Sequence, residues 1–186
     1  MKRSGNELRI IAGQWRGRRL SFPDSEGLRP TGDRVRETVF NWLQMYVPGA
    51  RCLDLFAGSG AMGLEALSRG AESVTFVEYS RPAAAAIREN LEVFGSRAGR
   101  VLNMDAQRFL GGAPERYDIV FLDPPFSSDI IDSCCARLET GGWLAEAALV
   151  YLEQDRSKPP PTLPPGWELF RSSHAGQVNF SLARRT

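Results

Sequence analysis

Asp123-Pro124-Pro125-Phe126 is the stretch of this 186-residue chain in which side chains and backbone can act together on a reacting group. Two consecutive prolines remove two backbone donors and stiffen the chain, leaving carbonyl oxygens to face a ligand. Beside the Asp123 carboxylate they form a rigid, acceptor-rich corner that suits an amino group. The exocyclic amine of a nucleobase is a poor nucleophile because its lone pair is delocalised into the ring. A carboxylate and a carbonyl accepting its two N–H bonds favour a pyramidal nitrogen and localise that pair. Phe126 is placed to stack on a base drawn out of its helix, a contact worth ~1–3 kcal/mol. A nitrogen that has taken a new substituent is strongly acidic, so Asp123 can receive its proton without a raised pKa. Alignment of the reactants supplies most of the acceleration. The competing reading is a proline-stiffened loop after a buried strand.

A second constellation is Asp54-Leu55-Phe56-Ala57-Gly58-Ser59-Gly60-Ala61-Met62-Gly63, between a strand and a helix. Glycines there let the backbone approach a nucleotide-type ligand closely. Gly58, Gly60 and Gly63 have the G-x-G-x-x-G spacing, and Glu78 follows Gly58 by 20 residues, so a dinucleotide site is one reading. S-adenosylmethionine is the other. Asp54 would repel a pyrophosphate but attract ammonium and sulfonium charges. Glu78 can accept from ribose hydroxyls, and Asp105, followed by Ala106, from an adenine amino group. Asp54, Glu78 and Asp105 after successive strands favour S-adenosylmethionine, while simple helix capping by Asp54 and Asp105 is the alternative.

These residues need a scaffold that brings strand ends together. Short apolar runs at 52–56, 74–78, 101–104 and 119–122 read as strands covered on both faces. Helical stretches lie between them: Ala61 to Arg69, then a helix capped by Ser80 with Pro82 in its first turn, then Ser128 to Leu138. That alternation predicts an α/β protein with a mainly parallel sheet. A further strand near 148–154 precedes residues 156–165, which hold five of the twelve prolines and no regular element. Runs at 167–171 and 177–183, with His174-Ala175-Gly176 as a turn, predict a hairpin at the sheet edge. His174, the single histidine, reads as a surface residue, and Cys134-Cys135 as core.

The first 50 residues stand apart. Two β-like runs, 8–11 and 18–22, flank Gly13-Gln14-Trp15-Arg16-Gly17 and predict a hairpin presenting Trp15 and several arginines. Trp15 suits either stacking on an RNA base or anchoring the hairpin. Val35, Val39, Trp42, Leu43 and Tyr46 recur at helical spacing, with Arg34 and Arg36 placed off that stripe and Phe40 beside it, suited to core packing first and to a cofactor contact second. The formal charge of +1 hides an asymmetry: residues 1–36 carry nine basic against four acidic side chains, the remainder fourteen against eighteen. A +5 arm on a −4 body points to phosphate as the arm's partner, through Arg9, Arg16, Arg18, Arg19, Arg29, Arg34 and Arg36. With 42% hydrophobic and 24% charged residues the chain is globular, and the lack of a long apolar run predicts a cytoplasmic protein. Three cysteines, two of them adjacent, read as reduced thiols, with no metal site.

Taken together, Leu28-Arg29-Pro30-Thr31, Arg34-Val35-Arg36-Glu37, Phe40-Asn41-Trp42-Leu43, the Asp54–Gly60 turn and Asp123-Pro124-Pro125-Phe126 resemble the bacterial 16S ribosomal RNA guanine-N2 methyltransferases, the RsmD-like family. The resemblance covers nearly the whole chain and is weakest at the carboxyl end. It implies a seven-stranded, Rossmann-like methyltransferase fold with an N-terminal β-hairpin extension. It also implies methylation of one guanine of 16S RNA in an assembled or partly assembled 30S particle. By motif, Asp54, Ala57, Gly58 and Gly60 would line the methionine side of S-adenosylmethionine, Glu78 the ribose, Asp105 and Ala106 the adenine, and Asp123 to Phe126 the target base. The expected organisation is one monomeric domain, residues 1–50 an RNA-binding extension and residues 51–186 the catalytic core. Adenine N6 in DNA or RNA remains an alternative acceptor, since an Asp-Pro-Pro-aromatic corner serves that amine equally well. A glutamine of a protein is a weaker one, and a non-catalytic nucleic-acid binder is a further possibility.

Overall fold

The computed structural model describes residues 6–24, 28, 30–125 and 129–186. Arg29 and Phe126 of the candidate site set lie outside them. Two strands, β1 (Asn6–Arg9) and β2 (Arg19–Phe22), pair antiparallel in a small separate sheet, as the hairpin pattern predicts. Helix α1 (Asp33–Leu43) follows. Then β3 (Arg51–Asp54), α2 (Ala61–Ser68), β4 (Ser73–Val77), α3 (Arg81–Val93), β5 (Gly99–Leu102), α4 (Ala106–Leu110), β6 (Tyr117–Leu122) and α5 (Ile131–Thr140) alternate along the chain. Three strands end it: β7 (Leu144–Asp155), β8 (Trp167–Ala175) and β9 (Val178–Arg185). The seven-stranded sheet has the order β5-β4-β3-β6-β7-β9-β8, parallel through β7 and antiparallel at its last two strands.

The strand order reverses between β3 and β6: the chain winds outward through β4 and β5, then returns to build the other half. Crevices at such a reversal, outside the carboxyl ends of the strands, are where open α/β sheets bind ligands.

Local chemistry explains the element boundaries near that crevice. Gly60 adopts φ +80°, which a β-carbon would strain, and starts α2 directly beneath the turn. At Gly63 a β-carbon would lie 2.3 Å from the Phe76 ring, so the third glycine lets α2 settle against β4. The glycine spacing therefore serves helix packing as much as ligand approach. Ser80 caps α3 by accepting from the Ala83 N–H, with Pro82 in the first turn.

All eight residues of α2 are buried, because the sheet covers one side and the N-terminal arm the other. Glu65 accepts from the Ile11 and Ala12 N–H groups at 3.0 Å each, and the Ser68 hydroxyl accepts from Trp15 N–H and donates to Ala12 O. Gly13 sits so close to the Ser68 carbonyl that a β-carbon would be 2.0 Å away. Ile10, Trp15, Leu20 and Phe22 of the arm share one apolar cluster with Leu64, Leu67 and Ile87.

Two expectations for the arm need correction. Trp15 is 6% exposed and packs its ring 4.8 Å from that of Phe94, so it anchors the hairpin rather than presenting a surface for a base. Arg36 lies inside the buried face of α1, not off it, and is fully buried. Its guanidinium donates to Asp33 at 2.6 Å, to Arg9 O at 3.1 Å and to Glu65 at 3.4 Å, and Glu65 also holds Arg69 at 2.9 Å. An arginine enters a core only with such partners, and Glu65 provides them from a helix that charge counting does not connect to α1.

At the other end, β7 begins four residues before the expected strand and β8 runs through His174, which pairs with Asn179 instead of forming the turn. The side chain of His174 is exposed, as expected for a surface residue. Strand β5 starts two residues earlier than predicted, because Gly99 pairs with Val74 of β4. Phe40 is buried 5.8 Å from the Phe121 ring, and Cys52, Cys134 and Cys135 are buried free thiols. Burial pushes all three thiols up, Cys134 to about 11 and Cys135 to about 12, which leaves them unreactive at neutral pH.

Candidate active site

The carboxyl ends of the parallel strands gather five carboxylates around one cavity of about 840 Å³. Asp54 closes β3, Glu78 follows β4, Asp105 stands between β5 and α4, Asp123 follows β6, and Glu153 lies near the end of β7. The described residues that line the cavity include no lysine or arginine. A pyrophosphate would meet only like charge there, whereas a cationic ligand would be attracted.

Each carboxylate has a distinct environment. Asp54 is buried and accepts the Gly63 N–H of the first turn of α2 at 3.0 Å. Burial lifts its carboxyl from 3.8 to about 7; the Gly63 hydrogen bond opposes the rise and the charge of Glu78 adds to it. Glu78 is half-buried and shapes the glycine-rich turn, accepting from Gly58 N–H at 2.6 Å through one oxygen and from Ser80 N–H at 2.9 Å through the other. Gly58 itself adopts φ +55°. Asp105 caps α4 through the Arg108 N–H at 3.0 Å and is otherwise exposed at the cavity rim, with Ala106 buried behind it. Capping and ligand-facing positions thus coincide in one residue.

Asp123 differs from the expectation. It is half-buried and lines the cavity. Burial, then the charge of Glu153, hold its carboxyl well above the usual range, against a lowering by the Thr31 hydroxyl. An ordinary pKa does not survive because a second carboxylate lies in hydrogen-bonding contact. Glu153 is also raised, by burial, although hydrogen bonds from Tyr151, Thr31 and Asp123 oppose the shift. Pro124 is buried and Pro125 exposed, and both line the cavity.

Thr31, Tyr151 and Glu153 are the residues that motif reading missed. Thr31 stands in the Arg-Pro-Thr segment but, ahead of α1, gives no sign in sequence of reaching across 92 residues to Asp123. Glu153 was within reach of the same rule that found Asp54 and Asp123, since an acidic residue ends a predicted strand there too.

The arginine set separates into two groups. Arg9, Arg16 and Arg34 are exposed. Arg18 is exposed too but lies over the Phe94 ring at 4.5 Å and donates to Val93 O, and Arg19 pairs with Glu7 at 3.1 Å. With Arg36 in the core, the arm's solvent-facing charge is smaller than the sequence count implies.

Known proteins are similar to this chain over nearly its whole length. The family described as conserved hypothetical protein 95 matches residues 8–184. The chain is 48% identical over 179 residues to the ribosomal RNA small subunit methyltransferase D of Escherichia coli strain K12, covering 96% of this chain and 90% of that protein. It is 44% identical to the protein of the same name from Haemophilus influenzae, covering 95% and 93%. The solved structure of yhhF from Escherichia coli superposes with a TM-score of 0.92 at 46% identity, covering 97% and 98% of the two chains. A match over nearly all of its length and identities of this size make the chain a member of the conserved hypothetical protein 95 family.

Proposed function

We propose that this protein is an S-adenosylmethionine-dependent methyltransferase of small-subunit ribosomal RNA, acting on the exocyclic N2 amine of a guanine in a 30S particle. One observation carries the reading: the glycine-rich turn and the Asp123-Pro124-Pro125 corner open into one acidic cavity, in a chain 48% identical to a small-subunit RNA methyltransferase.

The cavity fits that cofactor. Asp54 is a buried carboxylate with no basic partner among the described residues, and its raised pKa is the sign of a charge left uncompensated. When bound, S-adenosylmethionine supplies a methyl group on a positive sulfur, which keeps the bonding electrons as the methyl leaves. The protein does the rest by placement. Asp54 answers the ligand's positive charge, and Gly58 and Gly60, with Ala57, let backbone come near it. Glu78, already committed to Gly58 and Ser80, has lone pairs left for ribose hydroxyls. Asp105 and Ala106 bound the adenine end. Asp123 and a proline carbonyl accept the amine's hydrogens and hold the nitrogen pyramidal; Phe126, outside the described residues, is the stacking partner of the base in this reading. The protein's part in the rate is alignment of nitrogen and methyl group.

In the same reading residues 1–50 find the RNA and residues 51–186 perform the transfer, in a monomer in the cytoplasm. Among the described residues no helix is long and apolar enough to cross a membrane. Arg9, Arg16 and Arg34 are free to meet phosphate. The test is incubation with methyl-labelled cofactor and, separately, under-methylated 30S particles, naked RNA and DNA, followed by nucleoside analysis. Label in N2-methylguanosine from particles is the expected result. Label in N6-methyladenine, or none in any substrate, would overturn the assignment.

A further inference from the structure

Two hydroxyl and two carboxyl groups meet behind the proline corner. Thr31 Oγ1 lies 3.0 Å from Asp123 Oδ2 and 3.2 Å from Glu153 Oε2, and the Tyr151 hydroxyl lies 2.6 Å from that same Glu153 oxygen. Asp123 and Glu153 thus share one hydroxyl and lie close enough for each to act on the other's pKa. A threonine hydroxyl has one proton and can donate to only one of two carboxylates. Two carboxyl groups in contact need a proton between them, because two buried like charges repel. The pair therefore holds one proton and a net charge of −1 at rest.

The partners decide where the charge sits. Glu153 is 5% exposed and is reached by Tyr151, by Asp123 and by the one Thr31 hydroxyl that the two carboxylates share; among the described residues Asp123 has no donor besides that shared hydroxyl, and it is the more exposed of the two where they line the cavity. The larger number of donors around Glu153 favours it as the ionised member, with Asp123 offering it a hydroxyl. Among the described residues the other titratable groups near the pair are Tyr151 on the same strand and Asp54 at the end of β3, while Phe180 of β9, opposite Glu153, is apolar.

We propose that Glu153 is the resting place of the proton released by the target amine and that Asp123 relays it. This rests on the methyltransferase reading above. The amine nitrogen gives its lone pair to the methyl carbon and becomes positive. One N–H bond then breaks and its proton bonds to the Asp123 carboxyl, as the proton already there passes to Glu153. The nitrogen goes from +1 to 0 and the pair from −1 to 0, so charge and protons balance. Loss of one proton through the open cavity restores the resting state. Tyr151 and Thr31 are positioning residues in this scheme: their hydrogen bonds keep Glu153 ionised until it is needed.

Single-turnover methyl transfer to under-methylated 30S particles, measured across pH, tests the relay. Tyr151→Phe removes one donor to Glu153 and raises its pKa, so the acid limb of the rate profile should move up by about half a pH unit or more. Glu153→Gln should lower the plateau rate tenfold or more, and in that background Tyr151→Phe should no longer move the limb. A limb that Tyr151→Phe leaves in place, an equal displacement in both backgrounds, or an unchanged rate in Glu153→Gln overturns the proposal. A purely structural role would lower the rate equally at every pH. Tyr151→Phe deletes a single oxygen and decides the matter by itself if Glu153→Gln folds poorly. Absence of transfer by the unmodified protein would instead refute the methyltransferase reading.

Discussion

Replacing Asp54 by Asn should make the ligand-free protein more stable at pH 8 and a weaker binder of the cofactor. The carboxyl ionises near 3.8 when exposed and near 7 in the fold, chiefly because it is buried. Between those values the folded state holds a proton that the unfolded state has lost. The stability associated with that proton is therefore complete below pH 3.8 and is lost as pH rises to about 7. At about 1.4 kcal/mol per unit, a rise of roughly three units amounts to about 4 kcal/mol at pH 8. An Asn oxygen can still accept the Gly63 N–H, so the turn itself is retained. Urea unfolding of both proteins without ligand, at unit steps from pH 4 to pH 8, should give a difference near zero at pH 4 that grows toward this figure. Calorimetric titration with S-adenosylmethionine at pH 8 should show an affinity reduced about tenfold or more, since a buried countercharge is gone. A stability difference that does not change with pH would refute the reasoning, because it would mean that Asp54 is not a buried, uncompensated charge.

Other substitutions probe the rest of the site and the arm. Asp123→Ala should abolish methyl transfer while leaving cofactor affinity close to that of the unmodified protein; retained transfer would remove Asp123 from the mechanism. Changing Arg9, Arg16 and Arg34 together to Glu should weaken RNA binding and reduce the slope of log affinity against log salt by roughly 0.7–0.9 for each phosphate that is no longer neutralised. An unaltered salt slope would place the RNA surface elsewhere. Glu65→Ala leaves Arg36 buried without its central partner and frees the Ile11 and Ala12 N–H groups. It should cost about 3–5 kcal/mol in urea unfolding, with the hairpin becoming sensitive to protease. Unchanged protection would show that the arm is held without this network.

Much of the site is legible in the chain because local rules govern it. Short apolar strands, a glycine turn and a capped helix announce an alternating α/β sheet, and in such a sheet residues just after strands converge at one edge; hence Asp54, Glu78, Asp105 and Asp123 could be named from spacing alone. The seven-stranded sheet and the separate hairpin follow the same logic. What spacing could not reveal depends on contacts between distant segments. Trp15 and Arg36 look like surface residues until Phe94, at the end of α3, and Glu65, in α2, are brought beside them. Thr31 and Glu153, 122 residues apart, become partners only when α1's entry loop meets the end of β7. Asp123 itself shows the division most clearly. Its identity and position are local properties, but its protonation is set by the burial and the second carboxylate that the tertiary structure supplies, because a pKa measures the surroundings of a charge and not the residue that bears it.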